Sequence, residues 1–261
     1  MTLGSSGSSA GDQVHRAALL VDLGRHDEAE PLLRRVLATC PDHLDALQTL
    51  ARALGRAERF AEMLQVTDKW TTQAPEDYCS HQYRAKALMG LGDAAAAVPA
   101  AREAVRLAPA TAAPYVTLWH ALFQTGDVQD ALEAAHEYSR LQPGGGAGQQ
   151  LIALTNLRRN QIEQADEPST QALAADPGSV SRRLTRALVQ AKLGRLDILR
   201  SEILSVLQLS PDQNTLETAA AMIRYIGRPA ELAALYDMIL AAQGNRPATP
   251  LDSRRTDRPS V

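Results

Sequence analysis

The chain has 261 residues and a net charge of −3. That length allows one elongated domain or two compact ones, and so small a charge gives no basis for a nucleic-acid footprint or for general attraction to membranes. Its two cysteines, Cys40 and Cys79, form neither a disulfide framework nor a four-ligand zinc pattern, while abundant Ala, Leu and Arg without β-branched runs favour helix throughout.

The leading "MTLGSSGSSAGDQ" lacks the basic start and apolar centre of an export signal, and residues 1–9 are expected to be unstructured. No apolar run approaches the ~18 residues of a membrane span, so a cytoplasmic protein is expected. Lys69, Lys86 and Lys192 are the only lysines among many arginines, which suggests a bacterial, GC-rich genome.

Two amphipathic segments open the ordered part, near residues 12–24 and 27–39, and Pro41 follows them. The same event then recurs at Pro75, Pro109, Pro143, Pro177 and Pro211, always 34 residues apart. Twenty-four residues before these prolines stand Ala17, Ala51, Ala85, Trp119, Ala153 and Ala187, with Ala221 continuing the series. Twelve before them stand Ala29, Met63, Ala97, Ala131, Ala165 and Leu199, followed by Ala233. Gly24, Gly92, Gly126 and Gly194 share a third column. Each unit thus reads as two helices of about three turns. Glycine supplies a left-handed stop for the first and proline ends the second. The small-residue columns let paired helices approach closely.

Irregularities also fall in chain order. Pro31 and Pro99 sit near the starts of their helices, whereas Pro168 lies inside one, where proline costs roughly 3 kcal/mol. Arg16, Arg84 and Arg186 occupy a usually apolar place and are expected to snorkel or pair with acids. Asn156, Gln190 and Arg224 replace an apolar residue in the last three units, which therefore read as degraded. Trp70 and Trp119 read as core filling. The final helix, "PAELAALYDMILAAQ" from Pro229, carries one stripe of Leu232, Leu235, Tyr236 and Ile239, with Ala234, Met238 and Leu240 extending it sideways. Nothing amphipathic follows, so this end is expected to pair with a second copy, with a partner or with the tail.

A 34-residue helical hairpin with these columns resembles the tetratricopeptide repeat; "HRAALLVDLGRHDEAEPLLRRVLATCPDH" is a near-complete copy. The resemblance implies an all-α fold, a right-handed α-solenoid of about seven hairpins over residues 10–247. Its repeats run at about 10–43, 44–77, 78–111, 112–145, 146–179, 180–213 and 214–247, followed by an unstructured tail, 248–261. It also implies a concave groove lined by the first helix of each hairpin. One inward column runs Ala18, Arg52, Lys86, His120, Leu154, Leu188, Met222; the next Asp22, Arg56, Gly90, Gln124, Arg158, Lys192, Ile226; a third includes Gln48, Gln82, Val116 and Gln150.

The candidate peptide-binding residues are therefore Arg52, Arg56, Lys86, His120, Gln124 and Arg158 for anions and polar groups, with Met89, Val116 and Phe123 for apolar side chains. The family's chaperone-tail clamp is not expected, because Val14, Ala18 and Thr49 stand where its Lys and Asn would. No phosphate loop, HExxH or GxSxG occurs, "PGGGAG" at Pro143–Gly148 reads as a turn, and the histidines are scattered. The expectation is a non-catalytic scaffold or adaptor with no cofactor and no metal, binding an acidic protein or peptide segment rather than nucleic acid or membrane. A non-catalytic subunit of an enzyme assembly and a self-assembling scaffold are the alternatives.

Overall fold

The computed structural model describes residues 9–210, 212–227 and 230–244. The segments 1–8 and 248–261, together with Pro211 and Pro229, lie outside the described residues. Ser9, counted above with the leading segment, caps the first helix: its hydroxyl accepts from the Asp12 N–H at 3.1 Å and its own N–H donates to the Asp12 carboxylate at 3.0 Å.

Through Pro143 the chain forms one compact unit of eight helices. These are α1 (Ala10–Asp22), α2 (His26–Thr39), α3 (Leu44–Arg56), α4 (Phe60–Gln73), α5 (Tyr78–Gly90), α6 (Ala94–Leu107), α7 (Ala112–Thr125) and α8 (Val128–Leu141). From Gly144 a second unit holds α9 (Ala147–Arg158), α10 (Ile162–Ala175), α11 (Val180–Lys192), α12 (Leu196–Leu209), α13 (Gln213–Tyr225) and, after a 3-10 turn over Ala230–Leu232, α14 (Ala233–Gly244). Among the described residues there is no strand, and no helix is long and apolar enough to cross a membrane.

Every even-numbered helix packs on the odd-numbered helix before it, and in each unit successive odd-numbered helices touch. The second helices begin at 26, 60, 94, 128, 162 and 196, so the 34-residue period is kept to the residue. The two small columns lie at the helix crossings and are buried from Ala17 to Ala187 and from Ala29 to Leu199, with Trp119 filling its place at 3% exposure. The glycine column is left-handed at Gly24, Gly92, Gly126 and Gly194, with φ between 70° and 91°. The same turn is made at 58 and 160 by Glu58 (φ 56°) and Asn160 (φ 57°). Hairpins two and five therefore bear the cost of a non-glycine residue in that conformation.

One expectation is corrected. Ala221 and Ala233 are exposed, and Ala220 and Leu232, one residue earlier, take the buried places. Gly227 makes the left-handed turn at φ 84°, again one residue early. The cause is the connection. Four residues separate α2 from α3, α4 from α5, α6 from α7 and α10 from α11, but only three separate α12 from α13. The residue at the apolar place of the last hairpin is thus Ile223, fully buried, and not Arg224, which is exposed.

The other departures in the second unit have internal partners. Proline has no N–H, so Pro168 leaves the Gln164 carbonyl without its helical donor. Buried Asn156 donates its amide to that carbonyl at 3.2 Å. Gln190, fully buried, donates to Asp166 at 2.7 Å, and Arg195 donates to the same carboxylate. Arg186 lies 3.3 Å from buried Glu202, which also accepts from Arg183 at 2.6 Å. In the first unit Arg84 pairs with Asp68 at 2.6 Å, while Arg16 is exposed.

Candidate functional site

In the first unit α1, α3, α5 and α7 lie side by side, and α3, α5 and α7 bear every candidate residue except Arg158. Arg52, Arg56 and Lys86 come together around one cavity of about 380 Å³, whose remaining walls are Gly55, Phe60, Met63 and Tyr83. Arg52 and Arg56 each reach back one repeat. Arg52 donates to the Ala18 carbonyl at 3.3 Å and pairs with Asp22 at 3.3 Å, and Arg56 donates to the Val21 carbonyl at 3.1 Å. The Lys86 ammonium stands 4.9 Å from the centre of the Tyr83 ring, a cation–π contact. Lys86 is exposed by area, yet the surrounding protein lowers its pKa by desolvation. Among the described residues neither Arg56 nor Lys86 meets an acid within 4.0 Å.

The second helices differ. There Arg34 and Arg59 share Glu30 and Glu62, Arg102 pairs with Asp130, Arg106 with Glu103 and Arg140 with Glu137. Arg56 and Lys86 differ from these pairs in facing one cavity together with no acid within 4.0 Å among the described residues.

The other candidates are dispersed. His120 is exposed by area, edge-on to Trp119 at 4.8 Å, and its pKa is lowered by desolvation from the surrounding protein and then by the charge of Lys86. Phe123 is half-buried and stacks on Trp119 at 4.7 Å; Met89 packs against the core formed by Ala85, Leu88 and Ala101. Val116 is half-buried and Gln124 exposed. Arg158 is exposed on α9, in the second unit. Two of the inward-column amides are engaged within the fold. Buried Gln82 donates to the Ala113 carbonyl (2.8 Å) and to the Thr117 hydroxyl (3.1 Å), and Gln150 donates to Ser181 and Thr185 in the same pattern one unit on. Both tie a first helix to its successor.

Tyr83, Phe60 and Gly55 were not among the candidates. The sequence signal for them was Gly55 itself, in a column otherwise held by Val21, Met89, Phe123, Leu157 and Ala191. Among the described residues no three His, Cys, Asp or Glu side chains cluster as metal ligands. Within "PGGGAG", Gly146 is the left-handed N-cap of α9.

Comparison with known proteins supports this architecture. The tetratricopeptide-repeat family model matches residues 11–53. Among solved structures the chain is similar to a tetratricopeptide repeat protein from Parabacteroides merdae, at 14% identity and a TM-score of 0.66, over 92% of this chain and 100% of that one. It is similar to PilF of Pseudomonas aeruginosa at 15% identity and a TM-score of 0.68, over 81% and 96% of the two chains. It also resembles YrrB, described as a tetratricopeptide-repeat protein with an unusual peptide-binding site, at 16% identity and a TM-score of 0.53, over 69% and 93%. No curated protein matches the sequence. With the family model matching residues 11–53 and the same helical hairpin carried through both units, the chain has the helical-repeat fold of tetratricopeptide-repeat proteins.

Proposed function

We propose that the chain is a non-catalytic adaptor and that the first-helix face of its first unit takes an acidic segment of a partner protein. One observation carries this reading: Arg52, Arg56 and Lys86 surround a single cavity, and Arg56 and Lys86 have no acid partner among the described residues. A desolvated ammonium without a carboxylate gains more from an arriving anion than a solvated one does. The guanidinium of Arg56 can add charge-assisted hydrogen bonds to the same anion.

The test is calorimetry with a probe peptide, acetylated and amidated, whose central phenylalanine is flanked by two aspartates on each side. The double variant Arg56→Ala, Lys86→Ala is expected to weaken its binding at least about tenfold, a loss of about 1.4 kcal/mol or more. Folding should change little, since exposed substitutions usually cost under ~0.5 kcal/mol. Rising salt should weaken binding to the wild-type chain. Equal affinity in the double variant would leave these cations as a solvated face.

A second surface supports self-association. On α14, Leu235, Tyr236 and Ile239 are buried within the second unit, while Met238 and Leu240 remain 47% and 41% exposed. We infer that this side meets a second copy. Sedimentation at tens of micromolar should show a dimer that the Met238→Glu, Leu240→Glu variant lacks; two monomeric species would remove the homodimer.

A further inference from the structure

The cavity beside Arg56 exists because a side chain is missing. In the column one residue before Asp22, Arg56 and Gln124, the other hairpins of the first unit carry Val21, Met89 and Phe123. Val21 is fully buried, and Met89 and Phe123 are half-buried. At the same place α3 has Gly55 and a cavity of about 380 Å³. A second glycine shapes the wall. The Phe60 ring lies where the Cβ of any residue other than glycine at 90 would stand, 2.3 Å from that position. Phe60 therefore spreads across the end of α5 instead of packing away from it. Neither Gly55 nor Gly90 has a positive φ, so no backbone conformation demands glycine at either position. Both sit in helices, where glycine is unfavourable relative to alanine. Their common effect is space, with an apolar wall of Phe60, Met63 and Tyr83 and a cationic rim of Arg52, Arg56 and Lys86.

We propose that an apolar side chain of the partner segment, of leucine, methionine or phenylalanine size, enters the place vacated at Gly55. It completes the column that Val21, Met89 and Phe123 fill from within, while an acidic neighbour in the same segment meets Arg56 and Lys86. This rests on the reading of the face as an acidic-segment site and adds to it the identity of the anchor. The volume is sufficient, since roughly 150 Å³ of apolar cavity already takes a benzene ring. The charges are complementary: the apolar anchor is held next to an anion because the cavity and the cations share one rim. Acidity alone would give attraction without register; the anchor fixes which residue of the segment sits where.

Calorimetry with two peptides separates these possibilities on the unaltered chain. One is the aspartate-flanked phenylalanine peptide; the other has glycine in place of the phenylalanine. The first is expected to bind the wild-type chain at least about tenfold more tightly. Gly55→Leu should fill the cavity and bring the phenylalanine peptide down to the affinity of the glycine peptide, whose own binding is unchanged. Leucine is the better helix former, but its Cβ would stand 3.1 Å from the Met63 sulfur, so the thermal midpoint of that variant is measured beside its binding. Gly55→Ala places a Cβ 3.1 Å from the flexible end of Met63 and should produce a smaller loss of the same kind. Equal binding of the two peptides to the wild-type chain would overturn the anchor and leave the acidic-segment reading standing. Wild-type affinity of Gly55→Leu for the phenylalanine peptide would likewise overturn it. Failure of both peptides to bind would overturn both readings. The comparison on the wild-type chain decides even if Gly55→Leu does not fold.

Discussion

Glu202→Ala is expected to destabilise the second unit by about 3 kcal/mol. Glu202 is 5% exposed and accepts from Arg183 at 2.6 Å while lying 3.3 Å from Arg186. Removing one member of a buried ion pair costs about 3–5 kcal/mol, because the remaining charge is left buried and unpaired. The lower end of that range applies here. The side chains of Arg183 and Arg186 keep 17% and 25% of their surface, and Arg183 also donates to the Pro177 carbonyl at 2.8 Å. Urea unfolding of the full chain, with hydrogen exchange on α11 and α12, measures the loss. Glu202→Gln keeps an acceptor but no charge and should lose less. A change under ~0.5 kcal/mol for Glu202→Ala would mean that water satisfies both guanidinium groups.

Asn156→Ala is expected to cost about 2 kcal/mol, and only because of Pro168. A carbonyl left without a donor costs about 1–3 kcal/mol where water reaches it poorly. The Gln164 carbonyl is only partly shielded at its contact with the buried Asn156 amide, on a residue that is otherwise exposed, so the upper end of that range does not apply. In the Pro168→Ala background the helix regains the N–H, and the same Asn156 substitution should cost under about 0.5 kcal/mol. The double-mutant cycle should therefore show a coupling of about 1–2 kcal/mol. Additive single effects would mean that Asn156 is retained for some other contact.

These two cases show what the sequence conveyed and what it withheld. Arg186 at an apolar place was readable as a residue needing an acid. The acid, Glu202, was not, because it lies on another helix and no local pattern names it. Asn156 and Pro168 were both visible as irregularities, but separately. Only the fold places the orphan carbonyl of one beside the amide of the other. The period was legible because the proline columns keep 34-residue spacing without a gap. The shortened connection before α13 was hidden because Ala219, Ala220 and Ala221 run consecutively, so an alanine falls in the column under either alignment. Position 58 was passed over because the left-handed turn is made there by Glu58 rather than glycine. In the candidate site, periodicity brought out Arg52, Arg56 and Lys86, the side chains that are present. The cavity depends on one that is absent at Gly55, and its walls come from Phe60 and Met63 on α4, outside the first-helix columns.

The shortened connection before α13 also governs how the molecule can be re-engineered. A repeat protein invites cassette exchange, in which one hairpin is cut out and another spliced in. A splice that restores the seventh hairpin's buried places by counting 34 residues from Ala187 and Leu199 selects Ala221 and Ala233, both of which face solvent. On an α-helix one residue is a rotation of about 100°, so every side chain of the inserted cassette would face the wrong neighbour. Counting 33 residues across that junction selects Ala220, Gly227 and Leu232 and keeps the cassette in phase. Six hairpins can be exchanged by the common period, whereas the last fits only a donor cut one residue short.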